Sequence, residues 1–234
     1  MERYAYILAG GKSSRFGSNK ALVQLEGQPH LLRLADALQS DGWSVTVVAR
    51  TIDSYADLTL RVIADHAPDQ GPVAGLLAAL RDLQLRASAH DRLEVSMPYA
   101  LCVPCDLWSW NPRWTTGFLD VASPDVVSPD VVSPDAVWKN GDENYPKGVR
   151  LKIASAIATN DMHQGDGFIP FPCWLHADLH RVVQEAWDAG ERSLRKVFAR
   201  FEPQIAWVPI RGNDDAMIPR SFNTIEELRR LHPS

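Results

Sequence analysis

Glycines and cations gather near the start of the sequence in an order that suits a polyphosphate. Between Tyr4 and Gly27, a short apolar run (Tyr4 to Leu8) breaks into Ala9-Gly10-Gly11, and Lys12, Ser13, Arg15, Gly17 and Lys20 follow. Paired glycines permit positive φ and let the main chain approach a ligand closely. Successive free N–H groups in such a turn form a nest for anions. Lys12, Arg15 and Lys20 supply the countercharge, Arg15 as a planar fork and Lys20 as a compact point charge.

Two familiar phosphate loops do not account for this segment. Gly11-Lys12-Ser13 resembles the end of a Walker A motif, but that motif needs a glycine where Tyr6 stands. The dinucleotide fingerprint G-x-G-x-x-G fails as well, because the glycines fall at 10, 11 and 17.

The elements that must position these groups follow an alternating pattern. After the opening strand and loop, Pro29 is placed at N1 of a helix whose apolar face is Leu31, Leu32, Leu34, Ala35 and Leu38. Gly42 ends it, and Trp43 to Ala49 reads as a buried strand. Leu60 to Ala64 is a third strand, closing on Asp65. Gly71-Pro72 opens a helix with Val73, Leu76, Leu77, Leu80 and Leu83 on one face, and Ala100 to Val103 is a strand running into Pro104-Cys105-Asp106. Strand–helix alternation implies a mostly parallel sheet covered on both faces. Ligands of such sheets bind beyond the carboxyl ends of the strands. The glycine loop, Asp65 and Asp106 all fall at such ends.

Beyond that point the pattern changes. Residues 123 to 135 read SPDVV-SPDVV-SPD, a tandem pentapeptide. A proline every five residues cannot occupy a central strand, so an expanded loop or edge segment is expected. With the turn-rich Lys139 to Gly148 and Ala154 to Gly167, it forms an expected insertion at about 123–167 within a single domain, 1–234. Order resumes from Phe168 to Trp174. Helices are expected at His176 to Ala189, ended by Gly190, and at Arg192 to Arg200; Ile205 to Ile210 is a strand. A last helix begins at Phe222-Asn223-Thr224, with Thr224 and Glu227 at capping-box spacing.

Bulk properties narrow the class. At 234 residues and a formal net charge of −5, the chain has no global basic field to recruit nucleic acid or a membrane surface. No apolar run approaches the ~20 residues that span a bilayer. Three cysteines without a framework pattern suit a reducing compartment. Met1-Glu2-Arg3 before a strand leaves no room for a signal peptide. The expected location is the cytoplasm.

Four segments in order, LAGGKSSRFGSNK (8–20), ADHAPDQGPVAG (64–75), CVPCD (102–106) and SFNTIEEL (221–228), resemble those of the molybdenum cofactor guanylyltransferase (MobA-type) family. AGERS (189–193) is similar to the family's region before its closing strand. The resemblance covers most of the chain outside 123–167. It implies a three-layer α/β/α, Rossmann-like nucleotidyltransferase fold, and Mg²⁺-dependent transfer of GMP from GTP to the phosphate of molybdopterin with release of pyrophosphate. It also allows transient contact with molybdoenzymes or cofactor chaperones.

Carried onto this sequence, the resemblance places Leu8, Ala9, Gly10, Gly11, Lys12 and Ser13 around the nucleotide. Lys20 and Arg15 would neutralise the reacting phosphates, Asp106 would hold Mg²⁺ beside the nucleotide, and Asp65 would accept from guanine N1–H and N2–H₂. Asn223 would approach the acceptor. LAGG and GPVAG favour the guanylyl branch over the cytidylyl branch, which more often reads LAAG. Two positions depart from the family pattern: Ser221 stands where a first Asn is usual, and Val47, Val48 and Ala49 occupy the place of an Asn after the second strand. A cytidylyl or sugar-phosphate nucleotidyltransferase and a non-catalytic nucleotide-binding relative therefore stay as alternatives.

Two other pairs invite chemistry. Cys102 and Cys105 form C-x-x-C, but on a strand residues three apart face opposite sides. His176 and His180 fall at i, i+4 on the expected helix without a third ligand, which suits a solvated face.

Overall fold

Tyr4, Ala5, Tyr6 and Ile7 are all buried, so the opening strand (β1, Arg3–Leu8) is covered on both faces. A strand at the centre of a parallel sheet requires this. In this computed structural model, residues 3–11, 16–90, 99–122, 153–158, 171–199, 205–209 and 218–232 are described. The further strands are β2 (Trp43–Ala49), β3 (Arg61–Ala64), β4 (Tyr99–Pro104), β5 (Ile153–Ala158), β6 (Cys173–His176) and β7 (Ile205–Pro209). They form one sheet in the order β3-β2-β1-β4-β6-β5-β7, with β6 antiparallel to both neighbours and the other pairings parallel.

Six α-helices are described: α1 (His30–Ser40), α2 (Pro72–His90), α3 (Pro112–Ala122), α4 (Leu179–Asp188), α5 (Leu194–Ala199) and α6 (Ile225–Leu231). The two-residue period of β1 sorts them into layers. Ala5 and Ile7 pack with Leu31, Leu34 and Leu38 of α1 and with Trp114 and Phe118 of α3. Tyr4 and Tyr6 face the other way, toward Val73, Leu76 and Leu80 of α2, Val183 of α4 and Phe198 of α5. The result is the expected α/β/α sandwich around a mostly parallel sheet. Among the described residues no helix is long and apolar enough to cross a membrane.

Several boundaries differ from expectation for local reasons. Pro29 is the residue before α1 and not its first turn, because it pairs with Gln24 in a small antiparallel ribbon. His176 ends β6 opposite Tyr99, with the two rings 4.7 Å apart, and α4 starts only at Leu179. His176 and His180 therefore do not share a helix face. α3 was not expected, although Asn111-Pro112 carries its start: Asn111 Oδ1 accepts from the Arg113 N–H at 3.0 Å. β5 lies inside the stretch expected to be loop, between β6 and β7. The pentapeptide repeat lies outside the described residues.

Candidate active site

The carboxyl ends of four neighbouring strands carry the ladder one residue further and then diverge. Ala9 N–H donates to Val48 O at 2.8 Å, Cys105 N–H to Leu8 O at 3.1 Å, and Asp65 N–H to Ala49 O at 2.7 Å. These bonds fix where Gly10, Asp65 and Asp106 leave the sheet. They open onto a cavity of about 640 Å³ whose wall includes Leu8, Gly10, Gly11, Lys20, Asp65 and Asp106. Gly71, Pro72 and Gly75 of the α2 entrance line it too.

Gly10 is glycine because of Asp65. A Cβ built there would stand 2.5 Å from Asp65 Oδ2, well inside van der Waals contact. The other oxygen, Oδ1, accepts from the Ala67 N–H at 3.1 Å, which holds the carboxylate against the glycine. Burial raises the Asp65 pKa above the ordinary carboxylate range, over the opposing pull of that hydrogen bond.

Lys20 heads a short 3₁₀ turn, Lys20–Leu22, whose cap is Asn19: its Oδ1 accepts from the Ala21 N–H at 3.1 Å. Asn19 Nδ2 also donates to the Tyr55 hydroxyl at 3.4 Å, and that hydroxyl donates to Ala9 O at 3.3 Å. Tyr55, buried in the β2–β3 connection, thus ties both ends of the glycine loop and sets its span. Its hydroxyl pKa is raised by burial. With the loop so spanned, Lys20 Nζ meets Asp106 Oδ2 at 2.5 Å, both side chains largely buried.

The Asp106 turn is held from behind. Asp106 O accepts from the Phe222 N–H at 3.1 Å, Leu107 bridges Ser221, and Trp108 N–H donates to Arg220 O at 2.8 Å. His30 Nε2 donates to Leu107 O at 2.9 Å. Burial pulls the His30 pKa from its ordinary 6.5 to about 4, despite that hydrogen bond, so the ring is neutral at pH 7. Asn223 lies just beyond Phe222; it is exposed, its N–H donates to Glu227 Oε2 at 2.6 Å, and it lines neither described cavity. Thr224 and Glu227 form the expected capping box of α6.

Of the residues singled out from sequence, Leu8, Gly10, Gly11, Lys20, Asp65 and Asp106 share one cavity. Ala9 lines a second cavity of about 290 Å³ that shares Gly10 and Gly11, with Asn19, Arg50, Ser54 and Tyr55. Lys12, Ser13 and Arg15 lie outside the described residues. Tyr55, Asn19 and His30 were not anticipated. Asn19 alone had a local signal, as a cap residue next to the lone lysine. The cysteines do no chemistry here: Cys102, Cys105 and Cys173 are buried free thiols, and burial raises the Cys105 pKa to about 12.

The donor set at Asp106 suits a divalent cation of the Mg²⁺ kind. Such an ion takes one or two carboxylates and completes its shell with substrate oxygens and water. Among the described residues there is no group of three or more His, Cys, Asp or Glu side chains that could cage a metal by itself. The Asp106 carboxylate, beside the glycine turn on the cavity wall, matches a site completed by phosphates.

Comparison with known proteins agrees with this geometry. The family described as MobA-like NTP transferase domain matches residues 5–205. A molybdenum cofactor guanylyltransferase of Pseudomonas fluorescens is 28% identical over 200 residues, covering 83% of this chain and 78% of that protein. A probable molybdenum cofactor guanylyltransferase of Carboxydothermus hydrogenoformans is 48% identical over 75 residues, 32% of this chain and 38% of that one. The crystal structure of molybdopterin-guanine dinucleotide biosynthesis protein A from Archaeoglobus fulgidus has the same fold, with a TM-score of 0.59 at 18% identity, covering 97% and 96% of the two chains. The chain belongs to the MobA-like NTP transferase family and is a nucleotidyltransferase.

Proposed function

We propose that the chain transfers GMP from GTP to the terminal phosphate of molybdopterin, releasing pyrophosphate. An acceptor phosphate oxygen forms the new bond to the α-phosphorus as the bond to the β-phosphate oxygen breaks. No side-chain nucleophile is needed, so catalysis reduces to alignment and charge neutralisation. The observation that carries this reading is the Lys20–Asp106 pair, a cation and a carboxylate held 2.5 Å apart beside the glycine turn.

In this reading the main chain from Leu8 to Gly11 binds the nucleotide, and Lys12, Ser13 and Arg15 complete the wrap around its phosphates. Lys20 bears on the α-phosphate as charge builds there. Asp106 would hold Mg²⁺ together with phosphate oxygens, and the ion would supply charge neutralisation for the leaving pyrophosphate. Asp65 accepts from guanine N1–H and N2–H₂. Asn223 stands toward the acceptor, next to the strip that backs Asp106. The chain acts in the cytoplasm as one domain, meeting molybdoenzymes or cofactor chaperones only in passing.

Thermal unfolding with Mg²⁺ and each of GTP, CTP, ATP and UTP tests the donor. At about a hundred times its Kd a ligand adds roughly 2.7 kcal/mol, which moves the midpoint by several degrees. Stabilisation by GTP alone, followed by pyrophosphate release on adding molybdopterin, is expected. A preference for CTP, or turnover with a sugar phosphate in place of molybdopterin, defeats the reading.

A further inference from the structure

Strand β2 offers a base nothing but hydrocarbon. Val47, Val48 and Ala49 are fully buried and apolar, and the first polar side chain beyond them is Arg50. The β2–β3 register pairs Ala49 with Ala64, and the next step, Arg50 with Asp65, falls just past the end of the ladder. Neighbouring strands lie about 4.8 Å apart, so Arg50 and Asp65 leave the sheet side by side at the Gly10 edge. Arg50 lines the smaller cavity with Gly10 and Gly11, while Asp65 lines the larger one with the same two glycines.

Arg50 is anchored without being used up. Its Nη2 donates to Asp69 Oδ2, and Asp69 also lines the larger cavity. That contact occupies one nitrogen of a fork with five donors. The other Asp69 oxygen is buried with no hydrogen-bond partner among the described residues. The Arg50 side chain remains 58% exposed, so it can reach a ligand while Asp69 holds one edge.

We infer that Arg50 determines base specificity by donating to guanine O6 and N7, while Asp65 accepts from N1–H and N2–H₂ on the neighbouring edge. This assignment rests on the guanylyl-transfer reading. Guanine offers an acceptor pair, O6 and N7, at the spacing of a guanidinium fork, beside a donor pair, N1–H and N2–H₂, that suits a carboxylate. Cytosine has an acceptor pair, N3 and O2, but no donor pair beside it. The adjacent donor and acceptor then replace the amide that β2 lacks.

Titration calorimetry with Mg²⁺ tests it, using GTP, 7-deaza-GTP, ITP and CTP on the wild type, Arg50→Ala and Arg50→Lys. 7-Deaza-GTP lacks only the N7 acceptor, and ITP lacks only the 2-amino group. The wild type is expected to bind GTP on the order of tenfold more tightly than 7-deaza-GTP. Arg50→Ala should weaken GTP by about the same factor and bind the two alike, with the ITP penalty unchanged. Arg50→Lys, which keeps the charge beside Asp69 and loses the fork, should also fail to distinguish them. A variant that folds with an unchanged midpoint and still prefers GTP over 7-deaza-GTP overturns the role of Arg50. A wild type that prefers CTP overturns the guanine reading itself and this assignment with it, and the wild-type titrations alone reveal that case.

Discussion

Carboxylates in two regions of the molecule meet arginine or lysine in opposite ways. Asp82, on α2, accepts from both Nη atoms of Arg61 at 2.6 and 2.8 Å, from Arg86 Nε at 3.0 Å and from the Tyr6 hydroxyl at 2.8 Å. Thr46 on β2 ties the same two arginines, at 3.1 and 3.3 Å. Burial pulls the Asp82 pKa up, but the hydrogen bonds and charges around it win and hold it below the ordinary range. Asp106 and Asp69, by contrast, each meet a single cation across one oxygen among the described residues, at the rim of a cavity. Asp65 has no cation bonded to it among the described residues, and its pKa is raised. Where coordination is complete, charge serves the fold; where it is left open, the remaining valence can serve a ligand.

The largest way to test that contrast is to remove one member of each set. Lys20→Ala should lower guanylyl transfer roughly 10²- to 10³-fold, while the thermal midpoint moves little. Asp82→Ala should do the reverse. It removes the carboxylate shared by Arg61, Arg86 and the buried Tyr6 hydroxyl, at a cost of about 2–3 kcal/mol after discounting for the half-exposed Arg61. Turnover per folded molecule should stay near wild type. Parallel urea titrations and steady-state assays on the two variants read both quantities. Equal loss of stability in both would dissolve the distinction.

The same contrast explains what was legible in the sequence. Lys20, Asp65 and Asp106 stand out because each follows a local break, a glycine loop or the end of an apolar run. The succession of strands and their mostly parallel sheet follow from alternation of strand and helix as far as β4. Tyr55 and His30 carry no such local mark. Tyr55 acts on Ala9 from 46 residues away and His30 on Leu107 from 77, so their roles exist only once the strands are side by side. β5 was missed because IASAIA alternates small residues with few branched ones and follows a proline repeat that reads as loop. His176 was misplaced because an i, i+4 histidine pair suggests a helix, whereas its packing on Tyr99 ends a strand.

His30 lies between the two regimes. One nitrogen is satisfied by Leu107 O, and the other, Nδ1, is buried without a partner among the described residues. Its folded pKa of about 4 lies below the ordinary 6.5, so the folded state needs the neutral ring. The contribution is fully present above pH 6.5 and is lost as the pH falls toward 4, because only the unfolded chain takes up the proton across that window. The shift corresponds to about 3 kcal/mol at most. Urea titrations from pH 7 down to pH 4 should show the wild type losing stability faster than His30→Asn. Equal slopes would mean that the ring is not desolvated in solution.

The smallest effect is also the most local. A methyl group at position 10 would press on Asp65 Oδ2. The carboxylate cannot simply rotate away without giving up the Ala67 N–H on its other oxygen. Gly10→Ala should therefore cost about 1 kcal/mol of stability and, in the proposed reading of Asp65, weaken GTP binding by displacing its carboxylate. Asp65→Ala removes the obstacle. In the double variant the added methyl should be close to neutral for stability, giving a coupling energy of about 1 kcal/mol in a cycle of the four proteins. The cycle separates a steric match between two residues from a general intolerance of the glycine turn to side chains, which would leave the cost of Gly10→Ala unchanged when Asp65 is gone.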